Sequence, residues 1–261
     1  MGYTLTPAQK ANADLITAQF IKDGITNKFA HTGALSVISK ESEFNPAASE
    51  VSYASTSNDR IRSIFSKTRA LTDEQLTALK ADKIKFFNFV YNGIAGNGPE
   101  DGYKYRGRGF NQLTGKGNYQ NISRLTGIDF VNNPDLLAEP KNAAKAAVAY
   151  FVDGAERLKK AGKLAQYNAT SLNDFKTAQD SLGAFYHINA GVGQSMAHIN
   201  ADVTGGKAKA TSRLDDLLKY VEATAIAATE VVKKNPLTTA LLTAGLIVGA
   251  YLLYNELKNV K

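Results

Sequence analysis

The chain has 261 residues, and a content of 44% hydrophobic, 21% charged and 9% aromatic residues excludes a disordered, collagen-like or low-complexity protein. The absence of cysteine excludes a disulfide scaffold, a thiolate zinc site and a cysteine nucleophile. A net charge of +7 suits an anionic polymer such as cell wall, membrane surface or nucleic acid, and selects none of them alone. There is no tryptophan, so an aromatic platform for a sugar has to come from the 12 tyrosines and 12 phenylalanines.

In chain order, residues 1–20 are too polar and interrupted for an export signal. Thr6-Pro7 opens an amphipathic helix whose apolar face holds Leu15, Ile16, Phe20 and Ile21. Apolar spacing and caps predict further helices over residues 34–42, 72–79, 83–91, 118–125, 140–160 and 171–186. Thr72-Asp73-Glu74-Gln75 has the form of a capping box. Glycine-rich polar stretches at 92–109 and 189–193 read as loops on this helical frame, with a short hairpin around 103–113. A helix over 208–233 follows Gly205-Gly206 and stops at Lys233-Lys234-Asn235-Pro236. Residues 237–254 form an 18-residue run without a charge, long enough for a bilayer core, with lysines before it and Tyr251 and Tyr254 near its far end. Gly245 and Gly249 have the spacing that lets two such helices approach closely.

The three histidines, His31, His187 and His198, show no metal-binding spacing and read as structural. The segment from Gly109 to Gly117 is not a phosphate loop, because five residues separate its first glycines and a glycine stands where Ser or Thr would bind magnesium. The carboxylates are the stronger lead. Glu41 ends an apolar helix, a placement expected to raise its pKa as a general acid requires. Glu50 follows a proline-containing turn and is expected to face it across a groove, giving the paired carboxylates that glycosidic hydrolysis uses. Arg106 and Arg108 read as anchors of the glycine-rich loop. Tyr53, Tyr103 and Tyr105 are candidates for either sugar stacking or core packing.

The residues around that pair carry a resemblance. Lys40-Glu41-Ser42-Glu43-Phe44, Ser49-Glu50-Val51-Ser52-Tyr53, the block YRGRGFNQLTG from Tyr105 to Gly115, Asn118-Tyr119, Asn133-Pro134-Asp135 and Ile188-Asn189-Ala190-Gly191 follow in an order that resembles glycoside hydrolase family 19, and within it the bacterial and phage endolysin branch. The likeness spans about residues 30–215. It implies a mainly α, lysozyme-like fold with two lobes around a glycan cleft. It also implies that Glu41 is the general acid, Glu50 the base and Thr114 a holder of the attacking water. Tyr53, Gln112, Asn118, Tyr119 and Asn189 become candidate substrate-binding residues. Inversion follows if the two carboxyl groups stand about 6.5–9.5 Å apart. Two departures stand out, for Lys40 replaces the family's histidine and Ala190 its first glycine.

The resulting expectation is a catalytic domain over 1–215, a connecting helix over 216–235, a transmembrane helix over 236–256 and a polar tail over 257–261. The expected substrate is the glycan of peptidoglycan rather than chitin, with no cofactor, no metal and no nucleic-acid partner. A lipid membrane is the second partner, with self-association through Gly245 and Gly249. A tethered hydrolase of this kind belongs in a virion membrane for host entry, or in the host inner membrane for lysis at exit. Competing readings are a lytic transglycosylase, since Glu41-Ser42-Glu43-Phe44-Asn45-Pro46 resembles that group's motif too, and a non-catalytic glycan-binding structural protein.

Overall fold

A computed structural model describes residues 2–48, 52–201 and 206–233. The helices begin with α1 (Pro7–Lys22), α2 (Lys28–Ser42), α3 (Asn58–Ile64), α4 (Asp73–Ala81), α5 (Lys83–Tyr91), the one-turn α6 (Asp101–Lys104) and α7 (Lys116–Thr126). They continue with α8 (Pro140–Lys160), α9 (Ala178–Ala190), α10 (Met196–Ala201), α11 (Gly206–Ser212) and α12 (Leu214–Lys233). Among the described residues the fold is helical, as the spacing predicts, and the one extended pairing is an isolated bridge between Arg108 and Leu113. The chain divides into two compact units, the first from Met1–Asn45 and Ala147–Lys261, the second from Pro46–Ala146.

The first unit is organised around α2, which packs against α9, α11 and α12 and is buried from Ala30 to Ser39. A helix buried on nearly all faces has to satisfy its polar side chains internally. It does so here by having Thr32, Ser36 and Ser39 donate to the carbonyls of Lys28, Thr32 and Ser36 on the same helix. Gly33 lets α9 approach, because a Cβ there would lie 2.2 Å from Ser181 Oγ and 2.7 Å from the Ser181 carbonyl carbon. Phe20, Phe151 and Phe185 fill the core beside it, with Phe185 edge-on to both. His31 donates from Nε2 to the Ile25 carbonyl, and burial pushes its imidazole down to about 4.

The second unit has its own core of Ile61, Leu76, Phe86, Phe87 and Val90. Thr72 opens α4 with the expected capping box, and Asp82 caps α5 by accepting from the backbone of Ile84 and Lys85.

Three local differences from the predicted elements have physical causes. The helix expected from residue 171 starts only at Ala178, behind a Thr177 cap. Asp174 instead accepts from the Thr170 backbone, and Asn173 accepts from Thr26 N and donates to Gly24 O, so these short polar side chains hold turns and tie down another loop. The helix expected over 208–233 is two, broken at Arg213. Thr211 and Ser212 bond back to the carbonyls of Lys207 and Lys209, which bends the chain there. The expected hairpin around 103–113 contains α6 and a single bridge rather than paired strands.

Of the expected connecting segment, residues 216–233 are helix, and Leu217 and Val221 are buried in the first unit. Among the described residues no helix is long and apolar enough to cross a membrane. The expected transmembrane helix over 236–256, the tail over 257–261, Gly245, Gly249 and the expected base Glu50 all lie outside the described residues.

Candidate active site

In the first unit, the end of α2 carries Glu41 with its side chain 15% exposed. Its Oε1 accepts from Lys40 Nζ at 2.7 Å and from Asn189 Nδ2 at 2.8 Å. Asn189 lies in the last turn of α9, which ends at Gly191 with φ of +108°. Tyr150 of α8 donates to the Ile188 carbonyl at 3.2 Å, next to Asn189. Burial pushes the Tyr150 phenol up, Arg157 opposes this, and the Glu41 charge adds to the rise. Two helices thus meet at this carboxyl group, and α8 braces the second of them.

The chain leaves α2 through two left-handed residues that are not glycine, Glu43 at φ +51° and Phe44 at φ +60°. Side chains of α1 hold this turn, with Gln9 donating to the Glu43 carbonyl and Asn12 to that of Phe44. The Glu43 carboxylate is gripped by Arg213, at 2.8 and 3.0 Å, and by Lys209 at 2.7 Å. Burial pushes the Glu43 carboxyl up, but its hydrogen bonds and charge contacts to Arg213 and Lys209 win and hold it below the usual range. The same guanidinium donates to the Ser39 carbonyl at 2.5 Å and lies 4.2 Å over the Tyr3 ring. Arg213, at the break between α11 and α12, is therefore a clamp on the last turn of the helix that carries Glu41.

The loop after Asn189 is fixed from below. His187 is fully buried and donates from Nε2 to the Gln194 carbonyl at 3.0 Å, leaving Nδ1 to accept from Tyr167 Oη at 2.9 Å. Lys163 donates to the carbonyls of Val192 and Gln194. Burial lowers the His187 imidazole and pushes the Tyr167 phenol up to about 12, so both stay neutral in this network near pH 7. His31 and His187 are thus structural, as expected, and the His198 side chain lies outside the described set.

In the second unit the glycine-rich loop brings together Gln112, Thr114 and Asn118. Thr114 Oγ1 donates to the Gln112 carbonyl at 3.0 Å, and Asn118 Nδ2 to the Thr114 carbonyl at 2.8 Å. Gln112, left-handed at φ +51°, donates from Nε2 to the carbonyls of Ala48 and Gly109. It therefore ties the loop to the chain just before residues 49–51. Gly107 fits closely beside this group, since a Cβ would lie 3.0 Å from Gln112 Oε1 and 3.4 Å from Thr114 Oγ1. Arg108 is the anchor the sequence suggests. It pairs with Asp135 at 2.8 Å and donates to the Lys104 carbonyl and to Tyr119 Oη. Arg106 lies over the Tyr103 ring and donates to the Tyr103 carbonyl.

Tyr119 corrects the expectation of a ligand-facing side chain. It has no exposed surface, its ring packs against Tyr105 at 5.1 Å, and its hydroxyl donates to the Arg106 carbonyl. Burial pushes its phenol up, against the lowering effect of Arg108. It supports the loop from inside. Tyr105 is buried as well, and Tyr53 is half-buried with its ring against Phe65, Phe86 and Phe87. Glu43, Tyr150, Lys163 and Arg213 act as supports that no local sequence pattern marks. Their partners lie far along the chain, beyond the reach of periodicity. Among the described residues no cluster of His, Asp and Glu is arranged to hold a metal ion.

No protein-family model matches the chain. Over 149 residues it is 30% identical to a Haemophilus influenzae protein named as a glycosyl hydrolase family 19 domain-containing protein, a match that covers 55% of this chain and 72% of that protein.

Proposed function

Because the chain belongs to glycosyl hydrolase family 19, we propose that it cleaves β-1,4 glycosidic bonds in the glycan of peptidoglycan by an inverting mechanism with two carboxylates. The observation that carries this reading is the setting of Glu41, a mostly buried carboxyl group at a helix end, fixed by donors from two helices. A general acid needs such a fixed direction, because the proton has to reach the glycosidic oxygen as the bond to C1 breaks.

In this reaction Glu41 gives its proton to the leaving oxygen. Glu50 takes a proton from a water whose oxygen bonds to C1 from the opposite face, and Thr114 helps hold that water. The product is a hemiacetal of inverted configuration, and proton exchange with solvent restores both carboxyl groups. Gln112, Asn118, Asn189 and Tyr53 belong to substrate binding in this scheme, with Tyr119 supporting the loop. The +7 net charge favours the anionic wall polymer over chitin.

The uncharged run at 237–254 supports a membrane anchor. We place the tethered enzyme in a virion membrane, where it opens the host wall locally during entry; attachment to the host inner membrane for lysis at exit is the alternative. A lytic transglycosylase is the second chemical reading, favoured by Glu41-Ser42-Glu43-Phe44-Asn45-Pro46. Mass spectrometry of the released muropeptides separates the two. Reducing ends that carry one added water support hydrolysis, whereas 1,6-anhydro ends overturn it.

A further inference from the structure

We propose that Lys40 is a positioning residue for proton delivery. With Asn189 it fills Glu41 Oε1 and leaves Oε2 as the oxygen that carries the proton to the glycosidic bond. This inference rests on the reading of Glu41 as the general acid.

An ammonium group has donors and no acceptor, and an amide nitrogen likewise only donates. Lys40 Nζ at 2.7 Å and Asn189 Nδ2 at 2.8 Å both point at the same oxygen, Oε1. A carboxyl oxygen has two lone pairs in its plane, so with both engaged Oε1 cannot also bear a hydrogen. A proton on Glu41 therefore sits on Oε2, and the two donors also stop the carboxyl group from rotating to exchange its oxygens.

The supports of this arrangement are themselves fixed. Asn189 is held through the Tyr150 bond to Ile188 and by the anchored loop that follows it. Lys40 lies in the last turn of α2, where the helix carbonyls favour a cation, and its side chain is 29% exposed. The nearby cations Lys209 and Arg213 are engaged with Glu43. Lys40 is thus the cation placed on the acid, at a position where the family resemblance leads one to expect histidine.

The test uses the full chain and purified peptidoglycan. Lys40→Met is expected to lower kcat by about 10- to 100-fold with KM unchanged within about twofold, because a loosened acid loses its alignment rather than its substrate. Lys40→Arg, which keeps a charged donor, is expected to recover most of the rate, and Lys40→Gln to fall between the two. In a Glu41→Gln protein, adding Lys40→Met is expected to leave binding to peptidoglycan unchanged. Wild-type kcat in Lys40→Met overturns the proposal. So does weaker wall binding on adding Lys40→Met to Glu41→Gln, which makes Lys40 a substrate contact. If Lys40→Met does not fold, Lys40→Leu, which equally lacks a donor, carries the same comparison, and a wild-type kcat there is equally fatal. Full turnover by Glu41→Gln alone overturns the acid assignment itself, a failure separate from that of Lys40.

Discussion

The end of α2 and the glycine-rich loop of the second unit hold their functional groups by opposite means. Around Glu41 the scaffold is a helix buried on nearly every face, and precision comes from side chains that reach over from α1, α9 and the α11–α12 break. In the loop that carries Thr114, precision comes largely from backbone and amide bonds, such as Lys116 N to Asn97 Oδ1 and Gly115 N to the Tyr105 carbonyl. Buried Arg108 and Tyr119 lie beneath them. A helix supplies direction but has to be clamped at its end. A loop supplies close approach but has to be filled from inside.

Changes that separate the two strategies should differ in size. The largest effect is expected from Gly33→Val, which forces atoms into Ser181 across the α2–α9 contact. Its Cβ alone would lie 2.2 Å from Ser181 Oγ. A loss of about 3 kcal/mol in a denaturant melt is expected, with activity falling alongside because Glu41 rides on the same helix.

An acid titration of stability probes the same helix without mutation. His31 is held at about 4 in the folded state against 6.5 unfolded, so the unfolded chain binds more protons between these values. Its contribution is fully present above pH 6.5 and is lost as pH falls towards 4. The expected loss is about 2 kcal/mol at pH 5 relative to pH 7.5. His31→Gln should flatten this slope, and an unchanged slope contradicts the buried neutral imidazole.

In the loop, Arg108→Met removes donors from the Lys104 carbonyl and Tyr119 Oη while Asp135 remains mostly in water. About 2 kcal/mol of destabilisation is expected, from unsatisfied buried groups rather than from a lost surface ion pair. Equal stability in Arg108→Met contradicts the view that this loop is filled and braced from inside.

Much of the frame was legible in the chain. Thr6 announces its helix through the proline that follows it and Thr72 through a capping box, and the apolar runs of α5 and α8 fix both of their ends. Local chemistry of that kind is readable because its partners lie within a turn or two. The supports of Glu41 were not legible. Lys40 stood out only as a departure from a pattern, and nothing near Glu43 and Phe44 signals a left-handed pair that depends on Gln9 and Asn12. Tyr119 departs from the sequence expectation for a related reason. An aromatic beside a glycine-rich loop serves equally as a platform or a filler, and only its bonds to Arg106 and Arg108 decide for the latter. Residues 171–177 read as helix by spacing, yet Asp174 and Asn173 spend their side chains on turns.

Proton delivery by Glu41 is measured as the release of reducing ends from purified peptidoglycan by the wild-type and Glu41→Gln proteins at equal concentration. Thermal unfolding of both is followed in parallel. A loss of about 10³-fold or more is expected, with binding and unfolding temperature retained, since glutamine keeps the shape and the Asn189 contact but has no proton to transfer. Turnover by Glu41→Gln within a few-fold of wild type would contradict it.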